Sequence, residues 1–542
     1  MDLLETAANW LSQDPDPETR KELQDLIDSK DYEGLRARFE TRLEFGTAGL
    51  RGELGAGPNR MNQVVVAQTA LGIARFLRKN RSEYIDQNGE LSVVIGYDGR
   101  INSDVFAKLS AEIFAAAGIT TLLFDQKVPT PVGAFTGKRL GASAAIVVTA
   151  SHNPPKDNGY KVYLGGKTAN SQLVPPQDSE IALEIEEAAQ GTKFSEIPRA
   201  NRYKSLGDAE IDRYIQRALA LIPQDQESRS RRAKLRIVHT SMHGVGWRVV
   251  SELFTKSGFS LHSVPEQQEP DGNFPTVSFP NPEEPGAMDL SLELAKSVNA
   301  ELVLANDPDA DRLAVGFGKP AHMLTGDQVG LLLAELMARS GAKVIANSIV
   351  SEDLSQIAKH YGIDYHQTLT GFKWISKVPG LDYGYEEALG YCVDPEFTPD
   401  KDGITAALLI AELASNLAVE GQDLGSMLGE MANRYGESAS GQVSIRVSDL
   451  SVISKVMRSL RSNPPSEILR DKVSVEDYLS KPGLQQTNAL IFSNDRFKVI
   501  FRPSGTEPKL KCYLQYRGES AKAGITALKV WAKQIIEANS ER

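Results

Sequence analysis

Several chemistries are closed to this 542-residue chain by what it lacks. Its only cysteines, Cys392 and Cys512, lie far apart without metal-ligand spacing, so two reduced thiols are expected rather than a disulfide framework or a thiolate metal site. No run of about 18 apolar residues occurs, and no spanning helix is expected. Positive charge is in deficit, 60 Lys and Arg against 71 Asp and Glu. The resulting net charge of −11 argues against nucleic acid or an anionic membrane as the main partner, although a pocket can still be locally basic. The acidic start, MDLLETAANWLSQDPDPETR, has no signal-peptide pattern, which points to a cytoplasmic protein. The Gly-x-x-x-x-Gly-Lys-[Ser/Thr] loop is missing too, so a nucleotide is not indicated.

What is present is ordinary for a globular protein, 41% hydrophobic and 24% charged residues. The length implies about three to five domains. Residues 1–40 read as a helical lead-in. Residues 41–205 alternate strands (92–96, 120–124, 144–148) with a helix that Ser103 is expected to N-cap. Residues 206–320 form a second α/β unit, with strands at 235–239 and 301–305 and a Pro- and Glu-rich stretch at 265–286 expected on the surface. Residues 321–440 repeat the pattern with helix 327–338, strand 343–346 and helix 351–361. Residues 441–542 change to α+β, with strands at 489–492, 497–501 and 510–516 between two helices. Strand–helix alternation of this kind predicts mostly parallel cores.

Two segments carry the chemistry. The apolar run Ala144–Val148 empties into Thr149-Ala-Ser-His-Asn-Pro-Pro, where Pro154 and Pro155 prevent a helix. Ser151 and His152 thus stand at a strand end, where open α/β sheets gather ligands. In NDPDADR, the carboxylates Asp307, Asp309 and Asp311 fall within five residues and would repel one another without a cation. Hard divalent ions, Mg²⁺ in particular, bind such oxygen clusters, and the loop is expected to face solvent. An EF-hand fails because Arg312 and Gly318 stand where glycine and glutamate are needed. A serine hydrolase elbow fails because Thr149 and Asn153 replace its glycines. An aspartyl-phosphate enzyme is chemically possible but leaves the Ser151 loop unexplained. Phosphoryl chemistry on Ser151 accommodates both segments.

Weaker signals suggest a substrate pocket. Arg502, Ser504, Gly505 and Thr506 in RPSGTEPK offer donors and a close-approach backbone for a phosphate. Glu386 could bind paired hydroxyls. Thr370 and Gly371 lead into a short helix that could present Lys373. The glycine-rich segment 45–52 carries Arg51, a second anion contact.

TASHNPPKDNGYK, NDPDADR, YEEALGY and RPSGTEPKLK, in that order, closely resemble the α-D-phosphohexomutase superfamily. EFGTAGLRG is similar to its phosphoglucomutase-2/phosphopentomutase-like branch. The resemblance spans residues 40 to 540 and implies three similar mixed-sheet α/β domains and a C-terminal α+β domain around a central cleft. It further implies an isomerase acting by intramolecular phosphotransfer, with glucose 1-phosphate and glucose 6-phosphate as substrates and a bisphosphorylated intermediate. Ser151 would carry the phosphoryl group and, with Asp307, Asp309 and Asp311, hold Mg²⁺. His152 and Arg312 would stabilise the group in transfer, and Lys161 and Lys373 would handle protons. Arg51, Thr370, Gly371, Glu386, Arg502, Ser504, Gly505 and Thr506 would bind the substrate. Glucose 1,6-bisphosphate would serve as activator, and the protein would be a monomer or homodimer with only sugar phosphates as partners.

The sugar loop departs from the Gly-Glu-Met-Ser-Gly-His of bacterial phosphomannomutase/phosphoglucomutases. Ala388 stands at the serine position and Gly390 at the histidine position. A histidine base from this loop is excluded, and pentose phosphates stay open. The alternatives are phosphopentomutase, phosphomannomutase, bisphosphate synthase, or a non-catalytic sugar-phosphate-binding regulator.

Overall fold

Three short helices, Leu3–Gln13, Pro17–Asp28 and Tyr32–Phe39, open the chain. Asp16 and Asp31 cap the second and third by accepting from the backbone N–H of Glu18 and Gly34, and Pro17 sits at the first helical position, where its missing donor costs nothing. Trp10 packs edge-on against Phe39, and Glu22 accepts from the N–H of Ala56, tying the helices to the body that follows. This computed structural model describes residues 3–447, 450–483, 486–503 and 509–540. The chain divides into two units, residues 1–324 with 389–421, and residues 325–388 with 422–542.

The first unit holds two mixed sheets. Strands β1 (Leu50–Glu53), β2 (Ser92–Tyr97), β3 (Thr120–Phe124), β4 (Ala144–Val148), β5 (Asp157–Leu164), β6 (Ser171–Gln172) and β7 (Lys204–Leu206) make one, in the order β1-β5-β4-β2-β3-β7 with β6 on β5. The β4-β2-β3-β7 core is parallel, while β5 and β1 are added antiparallel. Every residue of β4 is buried, as expected for a strand covered on both faces. Along β5 the faces differ: Tyr160, Val162 and Leu164 enter the hydrophobic core, and Lys161 and Tyr163 point the other way. The second sheet runs β12-β11-β10-β8-β9, built from β8 (Arg236–Thr240), β9 (Ser260–Ser263), β10 (Leu302–Asn306), β11 (Leu313–Phe317) and β12 (His322–Met323). Strands β8, β9 and β10 are parallel, and β10 and β11 form an antiparallel pair whose connection is the aspartate loop. The mostly buried helix Gly403–Val419 packs on β10 and β11.

The second unit joins a parallel sheet, β13 (Val344–Ser348), β14 (Asp364–Thr368) and β15 (Tyr383–Glu386), to an antiparallel one. The latter contains Ser438–Arg446, Lys509–Arg517, Phe497–Pro503, Leu490–Ser493 and Ser474–Asp477 in spatial order, with helices Leu450–Ser462 and Ala521–Ser540 packed on its core. Ile349 and Val350 pack with Ile491, Ile500 and Tyr513, which joins the two sheets. The mixed α/β class with a C-terminal α+β part agrees with the sequence expectation. Among the described residues, no single helix is long and apolar enough to cross a membrane.

Local expectations need correction. Ser103 is the first helical residue and not the cap; Asn102 precedes it in the left-handed region, and Ser103 Oγ donates to Asp98 Oδ1 at 2.7 Å. The segment 45–52 is not wholly a loop, because residues from Leu50 pair with β5 and place Arg51 opposite Gly159. Gly49, at φ +78°, makes this possible, since a Cβ there would stand 1.9 Å from the Tyr160 carbonyl oxygen. The 265–286 stretch is not simply surface: Gln267, Phe274 and Val277 are buried.

Candidate active site

Strand β4 delivers Ser151 three residues beyond its end, in a conformation a serine rarely adopts. Its φ is +52°, a left-handed backbone that costs of order 1–3 kcal/mol and persists only where its surroundings enforce it. Thr149 Oγ1 accepts the Ser151 N–H at 2.8 Å, and Arg100 grips the carbonyls that follow. The buried hydroxyl donates to Asp307 Oδ2 at 2.8 Å and lies 3.2 Å from His152 Nδ1. The serine and aspartate loops, far apart in sequence, therefore meet at one oxygen pair.

The aspartate loop is buried, not solvent-facing: Asp307, Asp309 and Asp311 are 0%, 0% and 1% exposed. Neighbours on every side make this possible. Asn306 donates to the Arg312 carbonyl at 2.7 Å, and its Oδ1 lies 2.9 Å from Nε2 of buried His239 on β8. The Val245 N–H donates to the Pro308 carbonyl at 2.8 Å. Gly244 lies so close beneath that an added Cβ would be 2.3 Å from Pro308 Cα. Asp307 Oδ1 accepts the Arg312 N–H. Asp309 Oδ2 accepts from Lys161 Nζ and Thr130 Oγ1, each at 2.6 Å, and Asp311 Oδ2 accepts from Lys161 Nζ at 2.6 Å with Lys401 Nζ 3.2 Å away. Arg312 reaches toward Asp311 and Glu283 at about 4 Å.

Burial and mutual repulsion push the Asp307 carboxyl well above its usual range. Burial acts in the same direction on Asp309 and Asp311, but the Lys161 ammonium outweighs it, aided by Thr130 at Asp309 and by Lys401 and Arg312 at Asp311, and holds both low. The second oxygens, Asp309 Oδ1 and Asp311 Oδ1, are buried without a hydrogen-bond partner among the described residues. Each aspartate offers an oxygen within 4.8 Å of the others. Three buried carboxylates clustered this closely, two of them with an unpartnered oxygen, fit a hard divalent cation.

The remaining candidates are distributed between the units. Arg51 Nη1 in the first unit lies 3.5 Å from Asn153 Oδ1, beside the serine loop. In the second unit Gly371 takes φ +114° after Thr370, and Lys373 Nζ lies 5.5 Å from the centre of the Trp374 ring. Glu386 closes β15 and is buried. Arg502, paired with Lys511 across the strands, hydrogen-bonds with Tyr513, which also feels Glu386 and Glu387. Ser504, Gly505 and Thr506 lie outside the described residues. Thr130, Lys401 and Arg100 escaped the sequence reading. Lys401 did leave a trace, in the alternating Asp400-Lys401-Asp402 just before a helix that Asp402 caps.

Glu387 provides a pH marker for the end of β15. Burial, then repulsion from Glu386 and Asp327, raises its carboxyl to about 7, with Lys511 opposing, and Ser348 Oγ donates to Oε2 at 3.0 Å. A carboxyl that holds its proton more tightly when folded stabilises the fold below its unfolded value near 4.5, and this contribution fades as pH rises to about 7. The loss amounts to about 3 kcal/mol. Denaturation midpoints measured from pH 5 to 8 should fall more steeply for the wild type than for Glu387→Gln; parallel curves would exclude the shift.

Profiles of the phosphoglucomutase/phosphomannomutase α/β/α domains I, II and III match residues 42–192, 212–319 and 325–435. A Haemophilus influenzae protein named "Probable phosphomannomutase" is 45% identical over 85% of this chain and 94% of its own length. Human phosphopentomutase is 34% identical over 98% of this chain and 94% of its own, and a Staphylococcus aureus phosphoglucomutase 33% over 89% and 91%. In fold, the open form of the Paramecium phosphoglucomutase pp63/parafusin superposes with a TM-score of 0.71 at 19% identity, covering 92% of this chain and 96% of that one. With a serine loop, a buried aspartate triad and three successive domain matches in one chain, this protein belongs to the phosphoglucomutase/phosphomannomutase family, the α-D-phosphohexomutase superfamily of phosphosugar mutases.

Proposed function

We propose that the chain interconverts glucose 1-phosphate and glucose 6-phosphate through a phosphoserine at Ser151 and a bisphosphorylated sugar. The observation that carries this reading is the 2.8 Å contact between Ser151 Oγ and Asp307 Oδ2, which puts the hydroxyl at the edge of the carboxylate triad. A free sugar hydroxyl attacks the phosphorus as the bond to Ser151 Oγ breaks; the hydroxyl proton passes to a base, for which Lys373 is the candidate, because Lys161 is committed as an ammonium between Asp309 and Asp311. The resulting bisphosphate turns, and its other phosphate returns to Ser151. Mg²⁺ held by Asp307, Asp309, Asp311 and an oxygen at Ser151 would offset charge on the phosphoryl oxygens.

The residues do the positioning, which supplies most of the catalysis in phosphoryl transfer. Lys161 balances two of the three carboxylates. His152 and Arg312 flank the transferring group. Glu386 holds sugar hydroxyls beside Thr370 and Gly371, and Arg502, Ser504, Gly505, Thr506 and Arg51 bind phosphate. Domain limits at 41, 206, 321 and 441, a cytoplasmic setting, a monomeric or homodimeric state and activation by glucose 1,6-bisphosphate belong to the same reading.

Ala388 favours one second reading, a pentose 1-phosphate/5-phosphate mutase, because it removes a hydroxyl that could hold a hexose. A coupled assay with glucose, mannose and ribose 1-phosphates, Mg²⁺ and catalytic glucose 1,6-bisphosphate separates the readings. Glucose 1-phosphate should give the highest kcat/KM; higher values with ribose or mannose 1-phosphate would reassign the sugar, and no turnover with any would reject the mutase.

A further inference from the structure

The Ser151–Asp157 segment turns its carbonyls inward, and one side chain meets four of them. Arg100 Nη1 donates to the carbonyls of Pro154 and Asp157, both at 2.8 Å, and Nη2 to those of Ser151 at 2.7 Å and Asn153 at 2.6 Å. The guanidinium is almost completely buried. Asp98 compensates its charge from 3.7 Å, and the Phe274 ring covers it with its centroid 5.0 Å away. Asp98 is fixed in turn, accepting from the Arg100 N–H at 2.9 Å and from Ser103 Oγ at 2.7 Å.

We propose that Arg100 is the positioning residue of the serine loop, holding Ser151 in its left-handed conformation so that Oγ faces the aspartate triad. This rests on Ser151 being the phosphoryl carrier. Among the described residues, the Arg100 guanidinium donates only to backbone carbonyls and makes no hydrogen bond to the Ser151 hydroxyl, so it acts through the loop. Two prolines and a short closed turn leave these carbonyls few other donors, and buried carbonyls need partners. A planar fork with five N–H groups can serve four acceptors in fixed directions; an ammonium has three donors at one point. Phe274 comes from the 265–286 stretch, whose Gln267 carbonyl also accepts the N–H of His243, next to Gly244 beneath the aspartate loop. One loop thus braces both halves of the site.

The test is Arg100→Lys in the full chain. Its kcat should fall about 100-fold with KM changed less than threefold, since loosening a reacting group by about 1 Å costs that much. Hydrogen exchange should accelerate in residues 149–158 and stay at the wild-type rate in 302–317. Exchange needs no turnover, so it judges Arg100 even if the wild type proves not to be a mutase. Wild-type exchange in 149–158, or acceleration spread evenly over both segments, would overturn the proposal. If Arg100→Lys does not fold, Phe274→Leu replaces it: the same segment should loosen to a smaller degree, and unchanged exchange there would overturn the proposal equally.

Discussion

Replacing Ser151 by alanine is expected to lower mutase turnover by about 10⁴-fold or more while leaving the fold intact. The expectation has a structural basis. Alanine keeps the Cβ, so the left-handed turn gains no new strain, and the Thr149 and Arg100 contacts to the Ser151 backbone do not involve the lost hydroxyl. What disappears is Oγ, the atom that meets Asp307 Oδ2 and His152 Nδ1. Intact-mass spectrometry of the wild type after incubation with glucose 1,6-bisphosphate should show one added phosphate that the variant lacks. An equal mass increase in Ser151→Ala would move the phosphoryl group to another residue.

Lys161→Met should have the second-largest effect, on stability. The Lys161 ammonium lies 2.6 Å from Asp309 Oδ2 and from Asp311 Oδ2, on a side chain 6% exposed. Methionine fills similar space without charge and leaves the buried triad with Lys401 as its nearest remaining ammonium. Removing one partner of a buried ion pair costs about 3–5 kcal/mol, and in chelator the variant should melt correspondingly lower. A ligand that binds only the folded state stabilises it, so added Mg²⁺ should raise the variant's Tm by more than it raises the wild type's. A variant Tm equal to the wild type's in chelator, with no added response to Mg²⁺, would show that Lys161 does not balance these carboxylates.

Much of the site was legible because its two hard signals are local. The run Ala144–Val148 is a strand with the bounds read from the sequence, and the Asp307–Asp311 loop joins two strands. Its burial was not legible, because the acids are matched by residues remote in sequence. Lys161 reaches them because β5 runs antiparallel to β4, pairing Lys161 with Val147 and turning its side chain from the core. Thr130 and Lys401 arrive from other parts of the first unit and carry no motif. Arg100 sits in an unremarkable Asp-Gly-Arg after a strand, and only the path of the 151–157 backbone gives its fork four acceptors. The same limit hid the 265–286 stretch, whose prolines and charges suggest surface while Phe274 is held by a cation beneath it. Ser103 has the composition of a cap because caps and first-turn serines share it; the left-handed Asn102 decides between them.

The claim that Ser151 relays phosphate between two positions of a sugar is tested most directly by one isotopic turnover. Phosphorylated enzyme carrying unlabelled phosphate is mixed with sub-stoichiometric glucose 1-phosphate labelled with ¹⁸O in its phosphate, quenched, and both species are weighed by mass spectrometry. The relay predicts glucose 6-phosphate with unlabelled phosphate and enzyme that has taken up the label. Labelled glucose 6-phosphate with the enzyme still unlabelled would mean transfer within the sugar itself, and would contradict the account.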